Sequence, residues 1–298
     1  MKVIIIGGSG FIGTKITEAL LVRNYEVVVI DLNAPRVLDE RVRFIKHNFA
    51  TESVTPEVSE ALNGAFGVIN LAGASIGKRW SELYKKVIYD SRIETTRALV
   101  QALAGLAVKP GVLVNASAVG YYGDRKDEML TEESLPGNDF LAQLCVDWES
   151  AANEARNAGI RVACIRTANV LGPGGLLASL EPIFKKGLGG YFGSGRQSMP
   201  WIHWKDIVGI YLFALENPVS GSYNVGAGKT ISQKELFTAF AYEIDAKFVW
   251  RIPYVVAQIA FADFADTLVA SHNTDSTKIH QAGYVYQFSD IKTALMNM

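Results

Sequence analysis

The chain has 298 residues, 49% of them apolar and 20% charged, with a formal net charge of −1. That length suits one large α/β domain or a nucleotide domain with a smaller companion, in a soluble globular protein. The near balance of charge gives no electrostatic reason to expect nucleic acid or an acidic membrane surface as a partner. Two cysteines, Cys145 and Cys164, have neither metal-site nor disulfide-framework spacing. They read as reduced, buried thiols of a cytoplasmic protein.

Met1-Lys2 leads directly into Val3-Ile4-Ile5-Ile6, an apolar run too short for a signal segment. Its continuity is that of a strand buried on both faces. Glycines follow, and then a helical pattern from Phe11 to Arg23 with Ile12, Ile16, Ala19, Leu20 and Leu21 on or near one face. Asn24 suits a left-handed residue closing that helix. Tyr25 to Ile30 reads as the next strand, ending at Asp31. Buried strands are expected at Phe66–Leu71 and Val112–Asn115, with one helix between them from about Trp80 to Ala104. A helix near Asp139–Asn157 precedes a strand at Arg161–Arg166. This alternation predicts an α/β fold, a Rossmann doubly wound parallel sheet with helices on both faces.

Beyond Leu171 the chain is richer in loops, through Gly172-Pro173-Gly174-Gly175 and Gly187–Gly195. Ser222–Val225 reads as a short strand and Ser232–Glu243 as a helix, with Ser232 and Glu235 spaced as a capping box. The expected division is an NAD(P)-binding domain over 1–170 and a smaller, partly interleaved substrate lobe over 171–298. Ile252–Ala270 is apolar but contains Pro253, Gln258, Asp263 and Asp266, so a buried or partner-facing helix is expected there rather than a membrane span. The apolar residues Val255, Val256, Ile259, Ala260 and Leu268 suit either a homodimer face or core packing.

Gly7-Gly8-Ser9-Gly10-Phe11-Ile12-Gly13 holds G-x-G-x-x-G and G-x-x-G-x-x-G between a strand and a helix. Glycine permits the unusual turn and removes the Cβ that would obstruct a pyrophosphate, which the free N–H groups of the helix start attract. Asp31 at the end of the second strand suits the ribose hydroxyls of NAD and opposes a 2′-phosphate. Arg36 nearby leaves NADP as the alternative. Asn48 suits the adenine amino group through its carbonyl oxygen, or a plain loop role. Leu71-Ala72-Gly73 ends a strand in small residues, as expected where backbone runs beside the cofactor.

Together with this motif, Asn70-Leu71-Ala72-Gly73, Ser117-Ala118-Val119-Gly120-Tyr121-Tyr122-Gly123, Arg166–Pro173 and Trp201–Asp206 resemble the extended short-chain dehydrogenase/reductase superfamily. Lys78-Arg79-Trp80, Ser91-Arg92, Asp139–Ala142 through Trp148-Glu149 and Gly187–Gly190 resemble more closely its NAD-dependent epimerase/dehydratase-like subgroup, the epimerase family proteins of unassigned substrate. The resemblance runs over essentially the whole chain. It implies a small-molecule substrate, a nucleotide-linked one among the candidates.

One departure matters. The superfamily transfers protons with a Tyr and a Lys four residues later on one helix. Here those positions read Phe140 and Leu144, or Leu141 and Cys145 in the adjacent register. Neither pair contains a Tyr or a Lys, and Phe and Leu cannot carry a proton. Ser117 matches the serine that meets the substrate oxygen, and Tyr121 and Tyr122 on the same loop are the candidate proton donors, or packing residues. Arg92 falls where the superfamily often has Asn and suits a phosphate or carboxylate, or a surface ion pair. Lys78, Arg79 and Trp80 suit an anionic or planar substrate or a solvated basic turn. His203 reads as a core residue and Asp206 as a helix N-cap. No metal-ligand cluster or nucleophile elbow is present. Two functions follow: a nicotinamide-dependent oxidoreductase or epimerase, or a dinucleotide-binding regulatory protein without chemistry.

Overall fold

A computed structural model describes residues 1–298. Seven strands build the central sheet: β1 (Lys2–Ile6), β2 (Glu26–Asp31), β3 (Val42–Lys46), β4 (Gly67–Asn70), β5 (Val112–Ala118), β6 (Arg161–Thr167) and β7 (Gly221–Val225). Their spatial order is β7-β6-β5-β4-β1-β2-β3, and every neighbouring pair is parallel. Helices in most of the crossovers between the parallel strands cover both faces, and Val3, Ile4 and Ile5 are all fully buried. The helices are α1 (Phe11–Val22), α2 (Pro56–Leu62), α3 (Glu82–Asp90), α4 (Ile93–Ala104), α5 (Phe140–Asn153), α6 (Leu176–Lys185), α7 (Trp204–Glu216), α8 (Gln233–Glu243), α9 (Tyr254–Phe261), α10 (Phe264–Val269), α11 (Thr277–Gln281) and α12 (Ile291–Met296).

One face of the sheet packs on α1 and α7 through Ile16, Leu20, Ile207, Ile210 and Tyr211. The other packs on α2, α4 and the end of α5 through Val58, Leu62, Leu99, Leu103 and Ala152. Strand order reverses between β1 and β4, which opens a crevice at their carboxyl ends where such folds bind ligands. Asn24 takes the expected left-handed conformation (φ 60°), and its N–H bonds Leu21 O at 3.0 Å, closing α1.

The single helix expected from Trp80 to Ala104 is two helices, α3 and α4, parted at Ser91 and Arg92. Ser91 Oγ accepts the Ala74 N–H at 2.9 Å and donates to Ile88 O at 3.0 Å, so the break is held by the loop after β4. Tertiary contacts override a continuous helical pattern here.

The two-part division is interleaved more deeply than a boundary at 170 conveys. Helix α7 and strand β7 lie in the second part of the chain, yet α7 covers the main sheet and β7 completes it beside β6. What remains is a small lobe around Leu177, Phe184, Leu236, Phe237 and Phe240. Ser232 and Glu235 form the expected capping box on α8.

His203 is fully buried, as expected, but it rather than Asp206 caps α7, its ring accepting the Lys205 N–H at 3.3 Å. Asp206 sits inside the first turn. Its carboxylate receives Tyr284 Oη at 3.0 Å and the N–H groups of Gln287 and Phe288 at 2.8 and 3.0 Å, which anchors the C-terminal segment.

Ile252–Ala270 contains two short helices, α9 and α10, and no helix of the protein is long and apolar enough to cross a membrane. Core packing does not account for its apolar face, since Val255, Val256 and Ile259 are 57%, 48% and 71% exposed. Cys145 and Cys164 are free and buried.

Candidate functional site

The glycine turn lies at the crevice between β1 and β4. Gly7 has φ +76°, and a Cβ there would stand 2.8 Å from Ala72 N, so the turn and the strand-end loop Leu71-Ala72-Gly73 touch backbone to backbone. A Cβ on Gly13 would meet Gly8 Cα at 2.6 Å, which fixes how closely α1 approaches the turn. Gly10 differs: its φ is −69°, and the nearest atom to a Cβ there is Gly7 O at 3.6 Å. A Cβ there would make only this one ordinary contact. Gly10 is also the N-cap of α1 and supplies no side-chain bond. The N–H groups of Phe11, Ile12 and Gly13 therefore meet the crevice uncapped, beside the positive end of the helix dipole. Phe11 packs against Gly174, where a Cβ would stand 2.5 Å from the ring, so the 172–175 loop borders the same crevice.

Asp31 is half-buried at its mouth. One carboxylate oxygen accepts the Ser9 N–H at 2.9 Å and the other the Leu32 N–H at 2.6 Å. Ser9 Oγ donates to Asn33 O at 2.5 Å. Asp31 is thus tied to the glycine turn and keeps lone pairs for ligand hydroxyls. Arg36 is exposed. Asn48 Oδ1 accepts the Ala50 N–H at 3.1 Å, a local turn bond that leaves one lone pair free.

Asn70 is fully buried at the end of β4, where its amide donates to Thr96 Oγ1 at 2.8 Å and Asn115 Oδ1 at 2.7 Å. The Trp148 indole donates to the same Thr96 hydroxyl at 3.0 Å. Thr96 and Asn115 escaped sequence reasoning because Thr96 lies in the polar run Glu94-Thr95-Thr96-Arg97, where nothing marks it as buried, and Asn115 is a lone amide in an apolar strand.

Arg92 turns inward at the break between α3 and α4. Its guanidinium donates to Ile88 O at 3.1 Å and Ala74 O at 3.0 Å, and lies 5.2 Å from the Trp148 ring centre. A Cβ on Gly73 would stand 2.7 Å from Arg92 Cζ. The surface ion pair allowed by the sequence does not form: Arg92 meets no carboxylate. Burial pulls its pKa down to about 10. A desolvated cation without a counter-charge stands beside the strand-end loop.

Two of the three residues named from the sequence as catalytic are committed elsewhere. Ser117 lies on the β5 face that meets α5, is 4% exposed, and donates to Glu149 Oε1 at 2.6 Å. Glu149 pairs with Arg166 through two bonds of 2.7 and 2.8 Å, and accepts Ser222 Oγ at 2.7 Å. Burial works against the Arg166 charge, but the Glu149 bonds outweigh it and hold the guanidinium firmly protonated. Tyr122 is fully buried; its hydroxyl donates to Asn224 Oδ1 at 2.7 Å and accepts from Arg166 at 2.8 Å. Burial pushes its pKa up. Ser117 and Tyr122 are members of a buried polar network, not groups free to meet a substrate. Tyr121 is half-buried with its ring 3.5 Å from the Arg166 guanidinium carbon, and its hydroxyl makes no bond within the chain.

A cleft of about 270 Å³ separates the two lobes next to this loop. Trp80, Gly120, Phe140 and Leu141 form one wall and Asp263, Asp266, Thr267, Ala270 and His272 the other, with Lys85, Asp124 and Asp139 around the rim. Trp80 is 6% exposed, packed on Phe140 and Phe264 at 5.3 Å, so it shapes the wall as an apolar anchor. Arg79 donates to Ile259 O at 2.5 Å and braces α9. Lys78 is exposed near the Tyr84 ring. His272 was not singled out in the sequence, where nothing local marks it.

The family model described as the NAD dependent epimerase/dehydratase family matches residues 3–226. An epimerase family protein of Mycobacterium bovis is 38% identical, with 98% of this chain and 96% of that one covered. Among solved structures, human epimerase family protein SDR39U1 (isoform 2) with NADPH superposes at a TM-score of 0.85 and 28% identity, covering 99% of this chain and 98% of that one. The nucleoside-diphosphate sugar epimerase of Corynebacterium glutamicum gives 0.76 at 31% identity, covering 99% of this chain and 57% of that one. With its parallel sheet, its glycine turn and these relatives over nearly its full length, the chain belongs to the NAD-dependent epimerase/dehydratase family.

Proposed function

We propose that this protein is an NAD(P)(H)-dependent oxidoreductase or epimerase acting on a small, nucleotide-linked substrate, with NAD(H) preferred. The observation that carries the reading is the uncapped start of α1 at Gly10, open on the side where a Cβ would project and flanked by Asp31. The N–H groups of Phe11, Ile12 and Gly13 suit the pyrophosphate, and Gly7, Ser9, Leu71, Ala72 and Gly73 line its path. Asp31 accepts the adenosine ribose hydroxyls and repels a 2′-phosphate, while Asn48 borders the adenine side. When bound, the dinucleotide supplies the acceptor or donor of a hydride.

The chain's own residues then position the substrate. Arg92 offers its guanidinium fork to an anionic group, and the unbonded Tyr121 hydroxyl donates a hydrogen bond. A human relative solved with NADPH makes NADP(H) the competing cofactor. Calorimetry with NAD(H) and NADP(H), on the native protein and on Asp31→Ala, tests the reading. Binding of NAD(H) well above NADP(H), lost in the variant, supports it; no binding of either cofactor ends it.

One feature favours a second reading, a dinucleotide-binding protein without chemistry: Phe140 and Leu144, or Leu141 and Cys145, occupy the positions of the superfamily's proton-carrying pair. A substrate-dependent change in the absorbance of reduced nicotinamide, screened over nucleoside-diphosphate sugars, decides against it.

A further inference from the structure

Helix α5 brings Phe140 and Leu141 to the wall of the interlobe cleft, and neither can exchange a proton. On the opposite wall the second lobe places His272. We propose that His272 is the proton-transferring residue of this cleft, doing from the second lobe what α5 does elsewhere in the superfamily; this rests on the oxidoreductase reading above.

The case is one of geometry and of what else faces the cleft. Ser271 Oγ donates to Lys126 O at 2.7 Å, Ser271 N donates to Asp124 at 3.1 Å, and His272 N donates to Ser198 O at 3.0 Å. Asn273 pairs with Met129 in a short parallel ladder. The backbone around His272 is therefore pinned, while its ring has no hydrogen-bond partner in the chain.

Every other charged group of the cleft is engaged. Asp139 caps α5 through the Ala142 N–H at 2.9 Å, and Asp124 accepts from Ser271 N and Lys126 N. Lys85 is paired with Asp263 and Glu82, and Asp266 with the Tyr254 hydroxyl. Burial lowers the pKa of His272 despite the charges of Asp139 and Asp124, so the ring is neutral and able to accept a proton at physiological pH.

The step balances with an oxidised nicotinamide dinucleotide as hydride acceptor. The O–H bond of a substrate alcohol breaks and its proton passes to a ring nitrogen of His272. The C–H bond on the same carbon breaks, its electron pair leaving as hydride, and a C=O bond forms. Reduction returns both, the proton coming from the imidazolium.

The test reads the imidazole directly. His272 resonances are assigned by their loss in His272→Asn and titrated by NMR in protein saturated with NAD⁺ and with NADH, after calorimetry has shown binding in both proteins. A histidine facing the reacting ring feels the positive charge of the oxidised nicotinamide. Its pKa is then expected to be lower with NAD⁺ than with NADH by about half a unit or more. Equal values with both cofactors bound overturn the proposal and leave the cofactor reading intact. Failure of the native protein to bind either cofactor removes that reading and the proposal with it. Loss of binding in His272→Asn alone makes the residue a structural support of the cofactor site and also overturns it.

Discussion

Glu149 on α5 and Arg166 on β6 meet through two parallel hydrogen bonds of 2.7 and 2.8 Å, with side chains only 8% and 4% exposed. Ser117, Ser222 and Tyr122 add three more bonds to the same pair. A desolvated ion pair is retained only when its remaining donors and acceptors are satisfied, and here they are. Glu149→Gln leaves the guanidinium without its charge partner, so a loss of about 3–5 kcal/mol is expected. Replacing both residues, Glu149→Leu with Arg166→Met, is expected to recover much of it, because no orphaned charge remains. Urea unfolding of the three proteins checks both statements.

The glycine turn separates folding from binding. Gly10→Ala comes no closer than ordinary contact, 3.6 Å to Gly7 O, and keeps an ordinary φ, so its melting temperature is expected to stay within a few degrees of the native protein. Its new methyl group occupies the pyrophosphate's path, and affinity for NAD(H) is expected to drop at least about tenfold. Gly7→Ala fails differently, since φ +76° and the Ala72 backbone at 2.8 Å oppose the substitution in the folded chain itself. Thermal melts and calorimetry on the two variants should diverge in this way.

Asp31 is expected to decide between the cofactors. In Asp31→Ala, the loss of charge-assisted bonds to the ribose weakens NAD(H) binding by about tenfold, while NADP(H) binding holds or improves. Competition calorimetry reads the ratio. The variant also removes the acceptor of the Ser9 N–H, so a melt run alongside guards against a loosened turn.

Arg92 is a half-buried cation that meets only carbonyls and an aromatic face. Arg92→Met is expected to preserve or raise stability, since it removes an unpaired charge of lowered pKa. Affinity for a nucleoside diphosphate probe should fall if that charge faces an anion. Unchanged affinity for the probe would assign Arg92 to packing of the loop after β4.

Stability is expected to decline as pH falls below the ordinary histidine value of about 6.5. Burial lowers the pKa of both His203 and His272. In that window the unfolded chain takes up protons that the folded one resists, so acidification favours unfolding; above it both states are neutral and the contribution vanishes. His203 has a second reason to resist. Its Nδ1 accepts the Lys205 N–H while Nε2 faces Asn297 O at 3.0 Å, so a proton on Nδ1 would break the α7 cap. Melts across pH should show a shallower acid slope in His272→Asn than in the native protein.

The cofactor half of the site was legible because its signal is local. A buried strand, a glycine turn, a helix and Asp31 follow one another in sequence, and the fold places them in that order. The break at Ser91-Arg92 was hidden, since the hydroxyl contact with Ala74 that holds it joins residues distant in the chain. Tyr121 and Tyr122 looked equivalent, and only tertiary contacts tell them apart: Arg166 lies against the Tyr121 ring, while the buried Tyr122 hydroxyl is held by Arg166 and Asn224. His272 left no trace at all. What marks it is the wall of α5 across the cleft, and no periodicity or spacing within its own segment encodes that neighbour.

Strand β7, last in sequence and first in spatial order, bears on how the chain acquires its shape. Until residue 225 has been made, β6 is an outer strand whose free N–H and C=O groups invite pairing with another copy. Emerging from the ribosome, the early segments must wait for a late one, and a fragment ending near residue 170 should be prone to aggregate rather than fold as an independent unit.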